Sequence, residues 1–576
     1  MRYSTASQPA TDTKTTVHNN HSAKLLPPGT HSLSSVGNTK ILHSPAEAAH
    51  FDAEDIRPLL PAWLSVVATI VLAAILLPLF ICAPVTSDTS LFDVQAMTVL
   101  KGGVLYRDIV EPNLPGIVWV HLGLRTLIGW SSEAIRIADF CIFTATMLLL
   151  ANLVVSSGSA KHRNSRAGMF IFTSSLFYLT RNEWCHCQRD IWMLLPVSCA
   201  IWLRSTRSDQ FRHLPYCNVI EGIFWGIAFW IKPHVAIPAI SVILIDAVCL
   251  KNWKLRATDT GGIILGGVLA AIPGIVWLIS TGAWEHFWTM MLQWNPEYLE
   301  AGRNRRDWNR VYLLLQRFHP WWAIHVVAVP LAVQTIVAAF RATVDTEQTQ
   351  RSIRSMFSAC YLSWLLQAFL LQHAMDYIHV PEVLLAICVI AAHPWQLDLQ
   401  LRRVATAALL GLALLATPQF HNGRMTAWAH CFTEGSSPEI RGLLAQGNYP
   451  DWNHIHQVED FLHSRNVADG EVACLNVHCI HLHQELAILP ATRYWSINCL
   501  LTMFPKRYDE IMATVAAGKH RFVVVEANES NQKDQILPKS LPGNLPVVFE
   551  SGTYRVYETR VQEVPPTNNA ISTAQK

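Results

Sequence analysis

The chain carries little charge for its length. Of its 576 residues only 15% are charged, whereas 51% are hydrophobic and the mean hydropathy is +0.23. The formal net charge is +2, and no basic run is interleaved with aromatic residues in a soluble segment, so the sequence indicates no nucleic-acid partner. The composition instead predicts an all-α, multi-pass membrane protein.

Several catalytic and binding motifs are also missing. The sequence has no Walker-type glycine loop, no G-x-S-x-G and no H-E-x-x-H, which leaves an ATP-driven transporter or a membrane protease of those kinds unsupported. Possible metal ligands occur at 185–187 and 474–483, but neither run has the paired spacing of a structural zinc site. If the second run were a strand, Cys479, His481 and His483 would share one face, which permits a ligand set without requiring one. We expect no cofactor and leave a divalent metal open.

Long apolar runs organise the first 420 residues. Eleven of them could span a membrane: 60–83, 134–156, 167–181, 190–204, 218–232, 234–250, 258–280, 320–340, 355–373, 377–393 and 404–420. Several fall short of the ~20 residues that an untilted span needs, so their ends are approximate. Residues 1–57 are polar and rich in Ser, Thr, Asn, His and Pro, which predicts a disordered tail before an uncleaved first anchor.

Basic residues fall in every second connection between these runs. They are Lys161, Arg163, Arg166, Arg204, Arg207, Arg212, Lys251, Lys254, Arg256, Arg341, Arg351, Arg354, Arg402 and Arg403. By the positive-inside rule these loops and the tail 1–57 are cytoplasmic. A further run, 114–130, would break the alternation if it crossed, so we expect it to be interfacial or re-entrant. The alternation predicts a multi-pass topology, and we expect the protein to lie in the inner (cytoplasmic) cell membrane.

After residue 420 no further span is predicted, which puts the remainder outside the cytoplasm. A helix is expected at 455–465, strands at 471–477 and 521–526, and a hairpin at 547–550 and 554–558. Residues 421–560 are therefore predicted to form a small extracytoplasmic α/β domain, followed by a polar tail, 561–576.

The first outer loop, 83–133, holds the most informative residues. Asp88 follows the first apolar run, and Ser87 or Asp88 is suited to cap a helix that begins near Thr89 and ends at 102–103. Its spacing of apolar residues is typical of an amphipathic helix on a membrane surface. Glu111 comes next, before a Pro-Gly step into the run 114–130.

This layout resembles the GT-C fold of polyprenyl-phosphate-sugar-dependent glycosyltransferases, notably the protein O-mannosyltransferases and the lipid A aminoarabinose transferases. The resemblance covers about residues 60–420. Many members have Asp-Glu where this chain has Asp88-Thr89, and Lys-Pro-Pro-Gly where it has residues 113–116, Asn-Leu-Pro-Gly. The phosphate-binding lysine of those relatives therefore has no match here.

The resemblance implies that Asp88 is the catalytic base, although Asp88 could instead only cap the following helix. Candidate substrate-binding residues are Asp93, Glu111, Asp190, Lys232, Arg303, Arg305, Arg306 and Tyr377. Guanidinium and ammonium groups suit the leaving phosphate. All of these candidates except Glu111 have a plainer alternative. The alternatives are solvation for Asp93, helix capping for Asp190 with Arg189 as an interfacial anchor, snorkelling for Lys232, pairing with loop carboxylates for the arginines, and a lipid-binding or structural role for Tyr377.

The predicted function is an inverting membrane glycosyltransferase. Its partners would be a polyprenyl-phosphate-sugar donor, membrane lipids and an unidentified lipid, glycan or protein acceptor on the outer face. One alternative is a transporter or flippase of lipid-linked sugars, although the charged helices and symmetric halves typical of transporters are not visible. A catalytically inactive scaffold relative is another, since Thr89 and Asn113 stand where relatives carry charge.

Overall fold

The computed structural model describes residues 61–158, 163–206, 215–250, 253–304, 308–341, 348–372, 375–395, 399–421, 423–446, 450–527 and 545–559. The two predicted tails, 1–57 and 561–576, lie outside the described residues. The described part from residue 56 onward belongs to one compact unit.

The chain is mostly helical up to residue 415. In chain order the helices are α1 (Ala62–Cys82), α2 (Ser87–Leu100), α3 (Gly116–Ile128), α4 (Ser132–Ser156), α5 (Arg163–Leu179), α6 (Arg189–Thr206), α7 (Pro215–Ile231), α8 (Ala236–Leu250), α9 (Trp253–Ser280), α10 (Trp284–Thr289), α11 (Asn295–Asn304), α12 (Trp308–Arg317), α13 (Ile324–Arg341), α14 (Gln348–Leu371), α15 (Val380–Ala392) and α16 (Leu399–Leu415). A single π-helical turn, Met290–Trp294, joins α10 to α11.

Every one of the eleven predicted apolar runs is helical. Within the described residues, four helices are long and apolar enough to cross a membrane: Ala62–Cys82, Ser132–Ser156, Ala257–Ser280 and Trp321–Arg341. The number of eleven spans therefore stays a prediction. Helix α3 has 13 residues and is one of several apolar helices too short to cross untilted, so the expectation that 114–130 does not span also stays a prediction.

Glycines allow α7 and α9 to pack backbone against backbone. A Cβ atom on Gly222 would collide with the carbonyl of Ile263, and one on Gly266 would collide with the carbonyl of Val219. Small residues at such crossings let apolar helices approach closely, and dispersion contacts then hold them where lipid offers no hydrophobic driving force.

Four of the apolar helices are also joined by one buried charged network. Arg204 of α6 donates to Glu221 of α7 at 2.8 Å and to Asp246 of α8 at 2.7 Å, and Ser352 of α14 donates to Asp246 at 2.7 Å. Because unpaired charges among apolar helices are costly, these partners stabilise one arrangement of the four helices.

The C-terminal part combines short helices with a small sheet. Its elements are α17 (Ala427–Thr433), α18 (Pro438–Leu444), α19 (Trp452–Ser464), β1 (Val472–Cys474), α20 (Ile480–Glu485), α21 (Ile497–Met503), α22 (Tyr508–Ala517), β2 (Phe522–Glu526), β3 (Val547–Ser551) and β4 (Tyr554–Glu558). The strand order is β1-β2-β4-β3, with β1 parallel to β2 and the other pairs antiparallel. The predicted helix and hairpin are confirmed, but the predicted first strand is too long.

The expectation of strand alternation at 479–483 is wrong. Residues Val477–Cys479 form a 3-10 turn and lead directly into α20, because the chain turns away from the sheet after Cys474. His478 and His481 instead face α2 of the N-terminal half, whereas Nε2 of His483 lies 3.4 Å from Sγ of Cys474.

Helix α2 is not the predicted amphipathic surface helix. Nearly all its residues from Ser87 to Thr98 are buried, since it lies between α3 and the C-terminal part. The Ser87 hydroxyl is 3.0 Å from Nδ1 of His478, and the Ser90 hydroxyl is 2.8 Å from Nδ1 of His481. Polar pairs with α20 and the turn before it therefore replace the lipid contact that the sequence indicated.

Candidate functional site

The first turn of α2 presents Asp88 at a helix start that another residue caps. The hydroxyl of Thr86 accepts a hydrogen bond from the Thr89 amide at 3.3 Å, and Nε2 of Gln188 donates to the same hydroxyl at 3.1 Å. Capping by Ser87 or Asp88, as the sequence suggested, is therefore wrong. The Asp88 carboxylate is half-buried and remains available for another role.

Five of the nine predicted site residues come together around this carboxylate. They are Asp88 of α2, Glu111 before α3, Asp190 in the first turn of α6, Lys232 between α7 and α8, and Tyr377 in the 3-10 turn before α15. The charge of Asp88 acts on Tyr377 and Lys232, and Glu111 and Asp190 act on Asp88. Five separate segments thus supply one cluster.

Lys232 and Asp190 form a buried ion pair within the cluster. The ammonium nitrogen is 2.6 Å from Oδ1 of Asp190, and it lies 5.9 Å from the ring centroid of Tyr377. Burial is the main cause that lowers the pKa of Lys232, to about 8, and Asp190 partly offsets it. Oδ2 of Asp190 is buried and has no hydrogen-bond partner among the described atoms, so this oxygen can accept a hydrogen bond from a ligand.

Glu111 is held from two sides. Nε2 of Gln95, two turns after Asp88 on α2, donates to its Oε2 at 2.7 Å. The backbone amide and the side-chain amide of Asn113 both donate to its Oε1, each at 2.6 Å. The segment before α3 is therefore fixed to the same face of α2 that carries Asp88, because residues seven apart share a helix face.

A glycine brings this segment against the end of α7. A Cβ atom on Gly116 would collide with the carbonyl of Trp230 and the amide of Ile231, so only glycine fits. Lys232 follows these two residues directly. The close contact therefore places the ammonium group beside the segment that carries Glu111.

The environment of Asp88 favours its protonated form. Burial raises the pKa of this carboxyl above its ordinary value, and the charges of Glu111 and Asp190 raise it further. Arg189 and a hydrogen bond from Tyr377 act in the opposite direction without cancelling the rise. A carboxylate with a raised pKa is a stronger base than a solvated aspartate.

Asp93 is not part of this cluster, and it is not solvated either. It is fully buried on another face of α2, where Arg125 donates to both its oxygens, at 2.7 and 2.5 Å, and His121 Nδ1 lies 2.8 Å away. These partners outweigh burial and lower the pKa of Asp93. The residue thus joins α2 to α3, and its assignment to substrate binding stays a prediction.

The structure describes little of the three predicted phosphate-binding arginines of the long loop. Arg303 lies in the last turn of α11, whereas Arg305 and Arg306 lie outside the described residues. Arg317 of α12, also in this loop region, pairs with Asp376 at 3.0 Å. The prediction that these loop arginines hold a phosphate stays a prediction.

Sequence reasoning missed two groups of the cluster, Arg189 and Tyr298. Arg189 is almost fully buried next to Asp190, and its charge acts on Asp88 and Lys232. Tyr298 of α11 interacts with Asp88 and Glu111, and burial raises its pKa to about 12. The signal for Arg189 was its position beside Asp190, which we interpreted as an interfacial anchor.

Side chains of both runs of possible metal ligands make contacts within the fold. Among the residues that the structure describes, no group of three or more His, Cys, Asp or Glu side chains is arranged to hold a metal ion. His186 is occupied on both ring nitrogens, by Arg136 at 2.9 Å and by the carbonyl of Tyr178 at 2.9 Å. The second run holds α20 against α2.

A cavity of about 460 Å³ lies elsewhere, between α11 and residues 506–510. Its lining is charged, but the charges pair with one another: Lys506 contacts Glu300 at 2.8 Å, and Arg507 contacts Glu510 at 2.9 Å. These pairs are exposed and worth little. We therefore place the candidate site at the buried cluster around Asp88 rather than at this cavity.

Comparison with family models and with curated proteins found no match. No model of a known protein family matches the chain, and no curated protein matches its sequence at a significant level. The resemblance to GT-C transferases therefore rests on the layout of residues 60–420 alone.

Proposed function

We propose that the protein is an inverting glycosyltransferase of the GT-C type, which transfers a sugar from a polyprenyl-phosphate donor to a lipid, glycan or protein acceptor. One observation carries the proposal: a half-buried aspartate with a raised pKa stands beside two buried cations. A base, and cations for a leaving phosphate, are what such a transfer needs.

In the proposed reaction the carboxylate and the two cations have different roles. The Asp88 carboxylate takes the proton of the acceptor hydroxyl as its oxygen bonds to the anomeric carbon. On the opposite side of that carbon, the bond to the phosphate oxygen breaks and its electron pair leaves with the phosphate. Lys232 and Arg189 stabilise that phosphate, because guanidinium and ammonium groups bind it with charge-assisted hydrogen bonds.

The unmatched position 113 fits this division of roles. Asn113 cannot hold a phosphate charge, and both its amide groups are already bound to Glu111. Lys232 and Arg189, from other helices, therefore supply the positive charge in the proposed mechanism. The neutral residue at 113 alone does not favour the inactive scaffold over the enzyme.

The proposed location is the outer face of the cytoplasmic membrane, with the C-terminal part on that side. The apolar helices support a membrane protein, and the alternation of basic loops supports this orientation. Lys232, Asp190 and Asp88 all lie at helix ends or turns away from the basic loops.

The test compares the wild type with Asp88→Asn in membranes, using radiolabelled polyprenyl-phosphate sugars and counting label in lipid, glycan and protein fractions. Asp108→Asn is the matched control, because Asp108 is partly exposed and paired with Arg107 at 2.8 Å. The proposal expects label with the wild type and the control and none with Asp88→Asn at equal abundance. Equal labelling by all three would remove Asp88 as the base, and no labelling by any would favour the scaffold or the transporter.

A further inference from the structure

Two cysteines far apart in sequence meet at the end of the first apolar helix. Cys82 is the last residue of α1, and Cys431 lies in α17 of the C-terminal part. The Sγ atom of Cys82 is 3.6 Å from the carbonyl oxygen of Cys431, and the two thiol groups are hydrogen-bonded to each other. The two side chains are thus already neighbours.

The surrounding contacts hold both backbones in place. The Ser436 hydroxyl donates to the carbonyl of Cys82 at 3.0 Å, and its amide donates to Glu133 at 2.8 Å. On the other flank, the indole of Trp428 donates to the carbonyl of Ala74 at 3.1 Å. A separate apolar cluster fills the space between them, made of Leu79, Cys82, Ala427, Ile440 and Leu444.

We propose that Cys82 and Cys431 form a disulfide bond, made by thiol–disulfide exchange with a disulfide donor of an oxidising compartment. The bond would tie the end of α1, six residues before Asp88, to the C-terminal part. Disulfides persist in such compartments and are rare where thiols are kept reduced. The proposal depends on the compartment of this helix end and not on sugar transfer.

The exchange proceeds in two steps. The Cys431 thiolate attacks one sulfur of the donor disulfide, and a mixed disulfide forms as the donor's other sulfur leaves as a thiolate. Cys82 then loses its proton and attacks the sulfur of Cys431, and the second donor thiolate leaves. Two electrons pass from the two cysteines to the donor, which is reduced to a dithiol.

Accessibility sets the order of these steps. Cys431 is partly exposed, whereas Cys82 is 3% exposed. The hydrogen bond from Cys82 also lowers the pKa of Cys431, which favours the attacking thiolate. Cys431 therefore meets the donor first, and Cys82 closes the bond.

The test is differential alkylation of the full-length protein. Membranes are lysed in N-ethylmaleimide, one half of the sample is reduced and alkylated with iodoacetamide, and peptides of both halves are analysed by mass spectrometry. The expected result is a cross-linked peptide with Cys82 and Cys431 before reduction, and carbamidomethyl label on both cysteines after it. Cys431→Ser should leave Cys82 as a thiol, while Cys141→Ser on α4 should leave the cross-link unchanged.

Two results would overturn the proposal. One is N-ethylmaleimide label on both Cys82 and Cys431 in the unreduced wild type, with the fraction of labelled Cys82 as high as in Cys431→Ser. The other is a cross-link from Cys82 to a different cysteine. Neither result depends on an enzyme assay, so the disulfide proposal and the transferase proposal can each be refuted without the other.

Discussion

The ion pair between Lys232 and Asp190 gives a prediction whose sign is fixed by the structure. Asp190→Asn keeps the shape of the side chain but removes the negative charge 2.6 Å from the ammonium group. Because that charge raises the pKa of Lys232 against the effect of burial, the variant should have a lower Lys232 pKa than the wild-type value of about 8.

The size of the shift follows from the strength of such a bond. A hydrogen bond to a charged group contributes about 1.5–3 kcal/mol, and one pKa unit corresponds to about 1.4 kcal/mol. Loss of the whole interaction would therefore lower the pKa of Lys232 by about one to two units. Since the asparagine oxygen still accepts a hydrogen bond, we expect a shift near the lower end, about one unit.

The measurement needs no substrate. The full-length protein is trace-labelled with acetic anhydride at a series of pH values, and mass spectrometry gives the acetylation of Lys232 relative to an added reference amine. Only the neutral amine reacts, so the labelling curve rises through its pKa. Asp376→Asn is a matched control, because Asp376 pairs with Arg317 and not with Lys232.

Arg189→Gln should shift the pKa of Lys232 in the opposite direction. The guanidinium lowers the pKa of Lys232, so its removal should raise that pKa. A rise in both variants would refute the reasoning, since opening of the site to water moves a buried lysine toward its ordinary value whichever neighbour is changed. An unchanged Lys232 pKa in Asp190→Asn would refute it as well.

Two further predictions concern other carboxylates of the same region. The rate of transfer should fall on acidification with a midpoint above the ordinary aspartate pKa of 3.8, because burial raises the pKa of Asp88; a pH–rate profile that stays flat down to about pH 4 contradicts this. Asp93→Asn should lower the free energy of unfolding by about 3–5 kcal/mol, because it leaves the charge of Arg125 buried and unpaired. Asp108→Asn should lower the free energy of unfolding by only about 0–1 kcal/mol, since the pair of Asp108 with Arg107 is exposed. Thermal denaturation in detergent compares the stabilities of the two variants.

Hydropathy predicted the helical layout because lipid-facing and core helices are both apolar. All eleven apolar runs are helices, and the short strands of the C-terminal part also follow their sequence pattern. Helix α2 could not be predicted in the same way. Its partners are polar and distant in sequence, such as His478 for Ser87 and His481 for Ser90, and a local pattern of apolar residues carries no information about them.

The site was predictable where a charged residue stands at a helix end. Asp88, Asp190 and Lys232 share that position, and the structure brings them together. The burial of Asp93 could not be predicted, because its partners, Arg125 and His121, lie on α3 and only folding joins them to α2. Pairing between separate helices is therefore what the sequence could not provide, both for the fold and for the site.

The cluster has to satisfy two opposing requirements in the proposed reaction. A base needs a carboxylate that holds a proton well, and burial together with Glu111 and Asp190 provides this for Asp88. A leaving phosphate needs cations, yet cations close to Asp88 weaken it as a base. The structure separates the two effects, because Asp190 binds the ammonium of Lys232 directly and so reduces the field of that cation at Asp88. In the proposed reaction the charge of the buried Asp190 therefore acts on both the base, Asp88, and the cation, Lys232.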